Sequence, residues 1–233
     1  MKINTLHPWN ITETQAASIQ KSLSAWIILD DQPSYKVSCI ARAQLLYNLD
    51  DEYSTANVTL FRLPDFKVIE RHSATQRLDF PPIPGLLSFR KAPVVLKALE
   101  ALKNQPDLII CDGRGVTGSE RFGLASHIGL MSNIPTVGWR AAPNSPVTRR
   151  MRRQRGSWIP LSSGEQTYGA LLRIHRDLPP IYVSPAHQIS LKQALLSSLK
   201  AVPSSLENAD MLELLTPQPI AQLNPLTPSK EIS

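Results

Sequence analysis

Apolar residues recur along this chain with two different spacings, and the order of these spacings predicts the secondary structure. After the possible cap Thr12, apolar residues at helical spacing over 11–28 predict an opening helix. Three strand-like stretches follow, at 36–46, 56–63 and 66–73. Pro64, between the last two stretches, is typical of a tight hairpin connection. The first part of the chain therefore predicts an antiparallel meander.

Helical and strand patterns then alternate along the rest of the chain. The helical patterns cover 89–103, 121–132 and 190–200, and the strand patterns cover 107–111, 134–138 and 180–185. The alternation up to residue 138 is typical of parallel neighbours in a sheet, and the strand at 180–185 and the helix at 190–200 close the fold. We predict an α/β fold with a ribonuclease-H-like mixed sheet, an antiparallel meander followed by parallel strands, flanked by helices. A single domain over 1–203 and a largely disordered C-terminal tail over 204–233, which is rich in Pro, Ser and Leu, complete the prediction.

Composition and charge narrow the class of partner. The formal net charge of +6 and a pI near 9.5 favour a polyanion such as nucleic acid. Cys39 and Cys111 both lie in apolar stretches, where cysteine is more often a small buried hydrophobe than half of a disulfide. The N-terminus has no apolar signal region, and no run approaches the roughly 18 apolar residues that span a bilayer. We expect a cytoplasmic protein with no membrane partner.

One short stretch marks a candidate site. Residues 108–115, LIICDGRG, are an apolar run that ends in Asp112 and in two glycines around Arg114. A buried strand with this ending presents its last residue at a sheet edge, where α/β proteins place their chemistry. Asp112 is therefore either a catalytic carboxylate or a buried acid that accepts hydrogen bonds from turn amides.

Six motifs carry a resemblance to a known family. They are IPGLLSFRKAP (83–93), DGRG (112–115), RFGLASHIG (121–129), IPTVG (134–138), GEQ (164–166) and AHQIS (186–190). Their order and spacing resemble those of endonuclease V over roughly residues 10–200. The resemblance implies an endonuclease that uses Mg²⁺ or Mn²⁺ to cut DNA or RNA near deaminated bases, above all inosine, in repair.

The same resemblance indicates a degraded metal site. The family holds its metal with three carboxylates, and only Asp112 is retained. Gln44, in IARAQ (40–44), stands at the aspartate position of the first strand, and Lys91 stands at the glutamate position after S-F-R. A protonated lysine cannot ligate a cation and repels one. His187 matches the family's active-site histidine, so two catalytic positions are retained, two are replaced, and no cofactor is predicted.

Lys91 suggests how the cleft could fold without metal. We predict that its ammonium occupies the place of the lost ion and lies within about 4 Å of Asp112, the usual limit for an ion pair. Gln44 would add a neutral hydrogen bond. This arrangement would make Lys91 a tethered counter-ion, and Asp112 the one residue that could contribute to any remaining metal site.

An arginine-rich run is the second candidate for function. RRMRRQR (149–155) has five arginines in seven positions and no periodic apolar face, which favours either a solvated loop or a phosphate-binding surface. The predicted nucleic-acid contacts are Arg149, Arg150, Arg152, Arg153 and Arg155.

The resemblance also implies a pocket for a flipped base lined by Gly85, Leu87, Gly113 and Gly123. His127, on an apolar helical pattern, is predicted to be a core histidine.

Three functions remain open at this point. The first is an endonuclease V-like pseudoenzyme that binds nucleic acid without cutting it. The second is an active nuclease whose ligands have moved to acids such as Asp79 or Glu120. The third is a protein-interaction scaffold, with the C-terminal tail and its segment MLELL (211–215) available to a partner. The intact turns of PGLLSFR and DGRG favour nucleic-acid binding over a scaffold.

Overall fold

A mixed sheet of eight strands dominates the computed structural model, which describes residues 1–31, 35–47, 52–116 and 122–203. The strands are β1 (Cys39–Leu46), β2 (Tyr53–Arg62), β3 (Val68–Arg77), β4 (Leu108–Asp112), β5 (Thr136–Ala141), β6 (Trp158–Ser163), β7 (Gln166–Leu172) and β8 (Ile181–His187). The helices are α1 (Glu13–Ser24), α2 (Leu87–Glu100), α3 (Leu124–Ser132), α4 (Pro146–Arg150) and α5 (Leu191–Lys200).

The strand order across the sheet is β3-β2-β1-β4-β5-β8-β7-β6. Strands β1 to β3 form the expected antiparallel meander, and β4 and β5 continue the sheet parallel to β1. Strand β8 returns antiparallel to β5. The predicted ribonuclease-H-like mixed sheet is therefore confirmed. The single-domain assignment over 1–203 stays a prediction, and the tail over 204–233 lies outside the described residues.

Apolar side chains cover both faces of the central strands, which explains their nearly continuous apolar sequences. On one face, Ala41, Ala43 and Ile109 lie in a buried cluster with residues of α2 and α3. On the other face, Ile40 and Ile110 lie in a second cluster with residues of α5. A polar residue in the middle of these strands is consequently placed in the core and needs a partner.

The parallel strands β1, β4 and β5 end at the same side of the sheet. The register aligns Ala43 with Cys111, so Gln44 and Asp112 follow as neighbours, and Asp112 is aligned with Trp139. We call this side the carboxyl edge and define it by Gln44, Lys91, Asp112, Arg114 and Arg140. Lys91, the fifth residue of α2, comes to this edge beside Tyr47, which directly follows β1.

Two elements were not predicted from the sequence. Helix α4 includes Arg149 and Arg150, and the hairpin β6–β7 extends the sheet beyond β8. The helix is only five residues long, with Ser145 as its cap, so it has no readable period. The hairpin turns at Gly164 with a positive φ of 59°. Within the described residues, no helix is long and apolar enough to cross a membrane.

Candidate active site

The carboxylate of Asp112 is bound by a buried guanidinium. Arg42, on β1, is fully buried, and its Nη2 donates to Oδ1 of Asp112. Its Nη1 donates to the carbonyls of Ala43 and Ile110, at 3.0 and 3.3 Å. The guanidinium carbon lies 5.3 Å from the ring centroid of Trp139. Arg42 is thus held by charge, by hydrogen bonds and by an aromatic face.

This contact overturns the predicted ion pair between Lys91 and Asp112. No such pair is present among the described residues, because Arg42 already supplies the cation that Asp112 binds. A fully buried guanidinium needs an anion in the core, and Asp112 is its ion-pair partner. The signal was in the sequence. The resemblance to endonuclease V implies the pattern apolar-Ala-Gly-Ala-Asp at IARAQ (40–44), and Arg42 stands at its glycine, two residues before Gln44.

Lys91 instead packs on an aromatic ring. Its Nζ lies 3.9 Å from the ring centroid of Tyr47, close enough for a cation–π contact. Burial, and to a smaller extent the nearby charges of Arg140 and Arg90, lower the pKa of Lys91 to about 8, while Cys111 acts in the opposite direction. A lysine in this position is a poor substitute for a metal-binding glutamate.

Two arginines extend the positive charge of this edge. Arg140 lies near the end of β5, one residue beyond Trp139, and Arg114 lies in the turn after β4. Burial lowers the pKa of Arg140 to about 10, and the positive charge of Arg114 contributes to this decrease. The carboxyl edge is therefore rich in cations at the place where the resemblance implies a cluster of acids.

The residues at this edge do not fit a divalent metal. Mg²⁺ and Mn²⁺ are held by hard oxygen ligands, usually carboxylates. Here Gln44 is a neutral amide, Lys91 is an ammonium, and Asp112 is ion-paired with Arg42. Among the described residues, no three His, Cys, Asp or Glu side chains come together to hold a metal. The side chain of Asp79 is 81% exposed beside Arg77, and Glu120 lies outside the described residues.

His187 lies at a distance from Asp112. It is aligned with Thr136 at the start of β5, whereas Asp112 is aligned with Trp139 three positions further on, about 10 Å along the strand. Its Nδ1 accepts a long hydrogen bond of 3.5 Å from the amide of Ile28. Burial lowers its pKa to about 4. His187 is thus a neutral, buried side chain, and the structure does not bring it to the retained acid.

The DGRG turn is fixed by backbone contacts. A Cβ atom on Gly138 would lie 2.4 Å from the carbonyl oxygen of Gly113, and one on Gly115 would lie 2.2 Å from that of Pro185. Likewise, a Cβ on Gly123 would lie 2.2 Å from the carbonyl oxygen of Arg114. Such distances are shorter than any real Cβ contact, so these positions require glycine. The turn is locked against β5, β8 and the start of α3.

Two glycines of the predicted base pocket, Gly113 and Gly123, are closely packed against neighbouring residues. A Cβ on Gly113 would lie 2.8 Å from the side chain of Leu124, and Gly123 is closed by the backbone of Arg114. Gly85 has a positive φ of 84°, and Gln20 donates to its carbonyl at 2.9 Å. Leu87 is half-buried at the start of α2. A pocket for a flipped base at these residues stays a prediction.

The arginine-rich run divides into two kinds of residue. Four side chains are exposed: Arg149, Arg150, Arg152 and Arg153. Arg155 is half-buried and donates to the carbonyls of Leu199, Val202 and Pro203 at 2.6 to 3.0 Å. Burial lowers its pKa. Arg155 therefore binds carbonyls at and just after the end of α5. A groove of about 380 Å³ lies beside it, lined in part by Arg153, His175 and Arg176.

His127 is a core histidine, as predicted, but it is paired. Its Nε2 lies 2.7 Å from Nε2 of His7, and the rings of Trp9, Phe89 and Phe122 surround it. The Nδ1 of His7 lies 2.8 Å from the carbonyl of Pro8 and must donate to it, so His127 Nε2 is the donor of the shared bond. Burial lowers the pKa of His127 to about 3, which keeps its ring neutral.

Comparison with known proteins agrees with the order of the motifs and with the fold. A family model described as Endonuclease V matches residues 21–211. The endonuclease V of Trichormus variabilis is 38% identical over 203 residues, which cover 87% of this chain and 92% of that protein. The endonuclease V of Streptomyces coelicolor is 33% identical over 197 residues, covering 84% of each.

Solved structures of the same description share the architecture. The crystal structure of endonuclease V from Streptomyces avermitilis has a TM-score of 0.75 at 32% identity and covers 87% of this chain and 90% of that chain. Ciona intestinalis endonuclease V, in complex with a 24mer DNA containing an inosine followed by a ribo-adenosine, has a TM-score of 0.72 at 22% identity and covers 83% and 90%. The second likeness shows the fold alone. On the family model and the identities to curated relatives, this chain belongs to the endonuclease V family.

Proposed function

We propose that this protein binds nucleic acid through the endonuclease V fold and does not cut it by a metal-dependent mechanism. The observation that carries the proposal is the buried contact between Arg42 and Asp112. Asp112, the one acid retained at the family's metal-binding positions, is ion-paired with the guanidinium of Arg42. Gln44 and Lys91, at the other two positions, leave no carboxylate to replace it.

The chemistry of phosphodiester hydrolysis explains why this arrangement opposes cleavage. The reaction needs an activated water and positive charge on the developing phosphorane, and a bound Mg²⁺ supplies both when it is held by carboxylates. A guanidinium or an ammonium can stabilise the negative charge, but it lowers the pKa of a neighbouring water far less than a metal ion that ligates the water. The cations of the carboxyl edge therefore support binding of a phosphate rather than its hydrolysis.

Charge and exposure support nucleic acid as the partner. The chain has a net charge of +6, and four arginines of the 149–155 run are exposed to solvent. The Ciona relative was solved with an inosine-containing DNA, so inosine is the first base to test. Retained turns around Gly85 and Gly113 are consistent with a strand that lies across the carboxyl edge. DNA and RNA are both candidates.

The direct test is a fluorescent strand with one inosine, next to the same strand with adenosine. Each strand is incubated with the protein in Mg²⁺, in Mn²⁺ and in EDTA, and both gel shift and cleavage are scored. We expect a shift in all three conditions and no cleavage. Cleavage that needs metal and disappears in Asp112→Ala would overturn the proposal in favour of an active nuclease. Absence of any shift would favour the scaffold interpretation.

A further inference from the structure

Three cations of the carboxyl edge have no carboxylate partner among the described residues. Lys91, Arg114 and Arg140 form none of the ion pairs of the described chain, in contrast to Arg42, which binds Asp112. All three are half-buried. Positive charges without counter-ions are common on an open surface, where water solvates them. They are more costly at half-buried positions, where part of the solvating water is removed.

The three charges come from three different elements that converge. Lys91 lies near the start of α2, Arg114 in the turn after β4, and Arg140 near the end of β5. The amide of Gly113 donates to the carbonyl of Trp139 at 3.0 Å, so Arg114 and Arg140 each follow one residue after this contact, and the charge of Arg140 also acts on Lys91. Arg140 is therefore the middle member of a chain of like charges. Like charges held together repel one another unless an anion lies between them.

The fold holds this cluster in place. The turn that carries Arg114 is locked by the close approach of Gly138 to the backbone of Gly113. The ring of Tyr47 positions the ammonium of Lys91, with 3.9 Å between Nζ and the ring centroid. Arg90, which neighbours Lys91, is not available to a ligand in the same way, because its Nη1 donates to the carbonyls of Leu78 and Phe80.

We propose that Lys91, Arg114 and Arg140 form a metal-free binding site for a phosphate oxyanion, occupied by a phosphodiester of the bound strand. The inference rests on the proposed function and names the contact that replaces the metal. Two guanidinium groups offer planar pairs of N–H donors that match phosphate oxygens, and the ammonium offers three more donors. Asp112 does not oppose the anion, since its charge is balanced by Arg42.

The test compares single variants with matched controls in EDTA. Lys91→Ala and Arg140→Gln each remove a charge from the site. Lys97→Ala, further along α2, and Arg71→Gln, on β3, remove the same charges from exposed positions. We expect each site variant to bind an inosine-containing strand about tenfold more weakly, as for the loss of a charge-assisted hydrogen bond. The controls should change affinity by less than about twofold.

Salt dependence and rescue separate a phosphate contact from a structural role. Loss of one phosphate contact should reduce the slope of log affinity against log salt by about 0.7 to 0.9. Lys91→Arg keeps the charge and should retain most of the affinity. Equal thermal stability of Lys91→Ala and wild type would show that the variant is folded, and Arg140→Gln provides a second measurement if it is not.

A second experiment examines the site without a strand. Inorganic phosphate is titrated into wild-type protein while the side-chain ε-methylene resonance of Lys91, assigned with Lys91→Arg, is followed by NMR. A saturable shift that is lost in Arg140→Gln supports the site. If the strand binds but neither Lys91→Ala nor Arg140→Gln differs from the controls, the inference is wrong and the proposed function stands. If phosphate binds but no strand does, the anion site exists, but the occupant proposed here and the proposed function are both wrong.

Discussion

The pair formed by Arg42 and Asp112 changes the energetic role of the retained acid. In a working metal site, clustered carboxylates repel one another until the cation binds, so removal of one of them relieves strain in the metal-free protein. Here Asp112 is the counter-ion of a fully buried guanidinium. Its removal leaves an uncompensated charge in the core. The sign of the stability change thus distinguishes the two kinds of site.

We expect Asp112→Ala to destabilise the protein by about 3–5 kcal/mol, the usual cost of breaking a buried ion pair by removing one partner. The free energy of unfolding is measured by urea denaturation. Asp79→Ala is the matched control, because the side chain of Asp79 is 81% exposed, and it should change stability by less than about 0.5 kcal/mol. The double variant Arg42→Met, Asp112→Asn should recover most of the loss. A more stable Asp112→Ala protein would contradict this account.

At the scale of elements, the segment after α4 connects a basic surface to the end of α5. Arg155 donates three hydrogen bonds to carbonyls at the C-terminal end of α5. Leu199 lies in the last turn of α5 and Val202 and Pro203 follow the helix, and a cation is favourable at the negative end of the helix dipole. Four neighbouring arginines are exposed. Within one run, Arg155 therefore stabilises the fold and the other four contribute positive charge to the surface.

We expect substitutions within this run to separate into two effects. Arg155→Gln should lower stability by about 1–3 kcal/mol, because three charge-assisted bonds are lost. Replacement of Arg149, Arg150, Arg152 and Arg153 by Ser should leave the Tm nearly unchanged and should flatten the salt dependence of strand binding. Thermal unfolding and binding at several salt concentrations measure the two effects. If the four-residue variant keeps the wild-type salt slope, the exposed arginines do not contact nucleic acid.

The elements also show which parts of the structure the sequence could predict. The periodic apolar patterns located β1 to β5, β8 and four helices, because burial on one or two faces imposes a period. Hairpin β6–β7 was missed because its residues alternate weakly and its signal was a single turn at Gly164. The missed role of Arg42 has a different cause. A pattern of side chains reports which residues are buried but not which buried charges meet across two strands.

For the molecule as a whole, two buried histidines make stability depend on pH. Burial lowers the pKa of His187 to about 4 and that of His127 to about 3, whereas histidine in an unfolded chain titrates near 6.5. Between these values the unfolded chain binds more protons than the folded one. Stability is therefore fully present above about pH 6.5 and is lost as the pH falls towards 4.

We expect His187→Asn to reduce this loss. Asparagine offers an acceptor to the amide of Ile28 but does not titrate, so the variant should lose up to about 3 kcal/mol less than wild type between pH 6.5 and pH 4. Urea denaturation at a series of pH values gives the slope of the free energy of unfolding against pH for each protein. Identical slopes for the two proteins would mean that His187 titrates normally in the folded state.

Metal linkage is the second property of the whole molecule. Wild-type protein should gain no stability from Mg²⁺, since a ligand stabilises only the state that binds it. The triple variant Arg42→Gly, Gln44→Asp, Lys91→Glu restores the family's carboxylates beside Asp112. We expect its Tm to rise with Mg²⁺ concentration, by an amount equivalent to about 2.7 kcal/mol at one hundred times the Kd. Comparison with and without metal within the same variant removes the effect of the cavity left at Arg42. A Tm of wild type that rises with Mg²⁺ would contradict the expectation.

The turn locked by Gly138 and Gly115 has a consequence for the history of the protein. Its shape depends on contacts between backbone atoms, and these are indifferent to the side chains that the turn carries. A lineage could therefore exchange the chemistry of the edge one substitution at a time and keep a cleft that still accommodates the same strand. In this protein the shape of the edge is therefore set by the backbone, whichever side chains carry its charge.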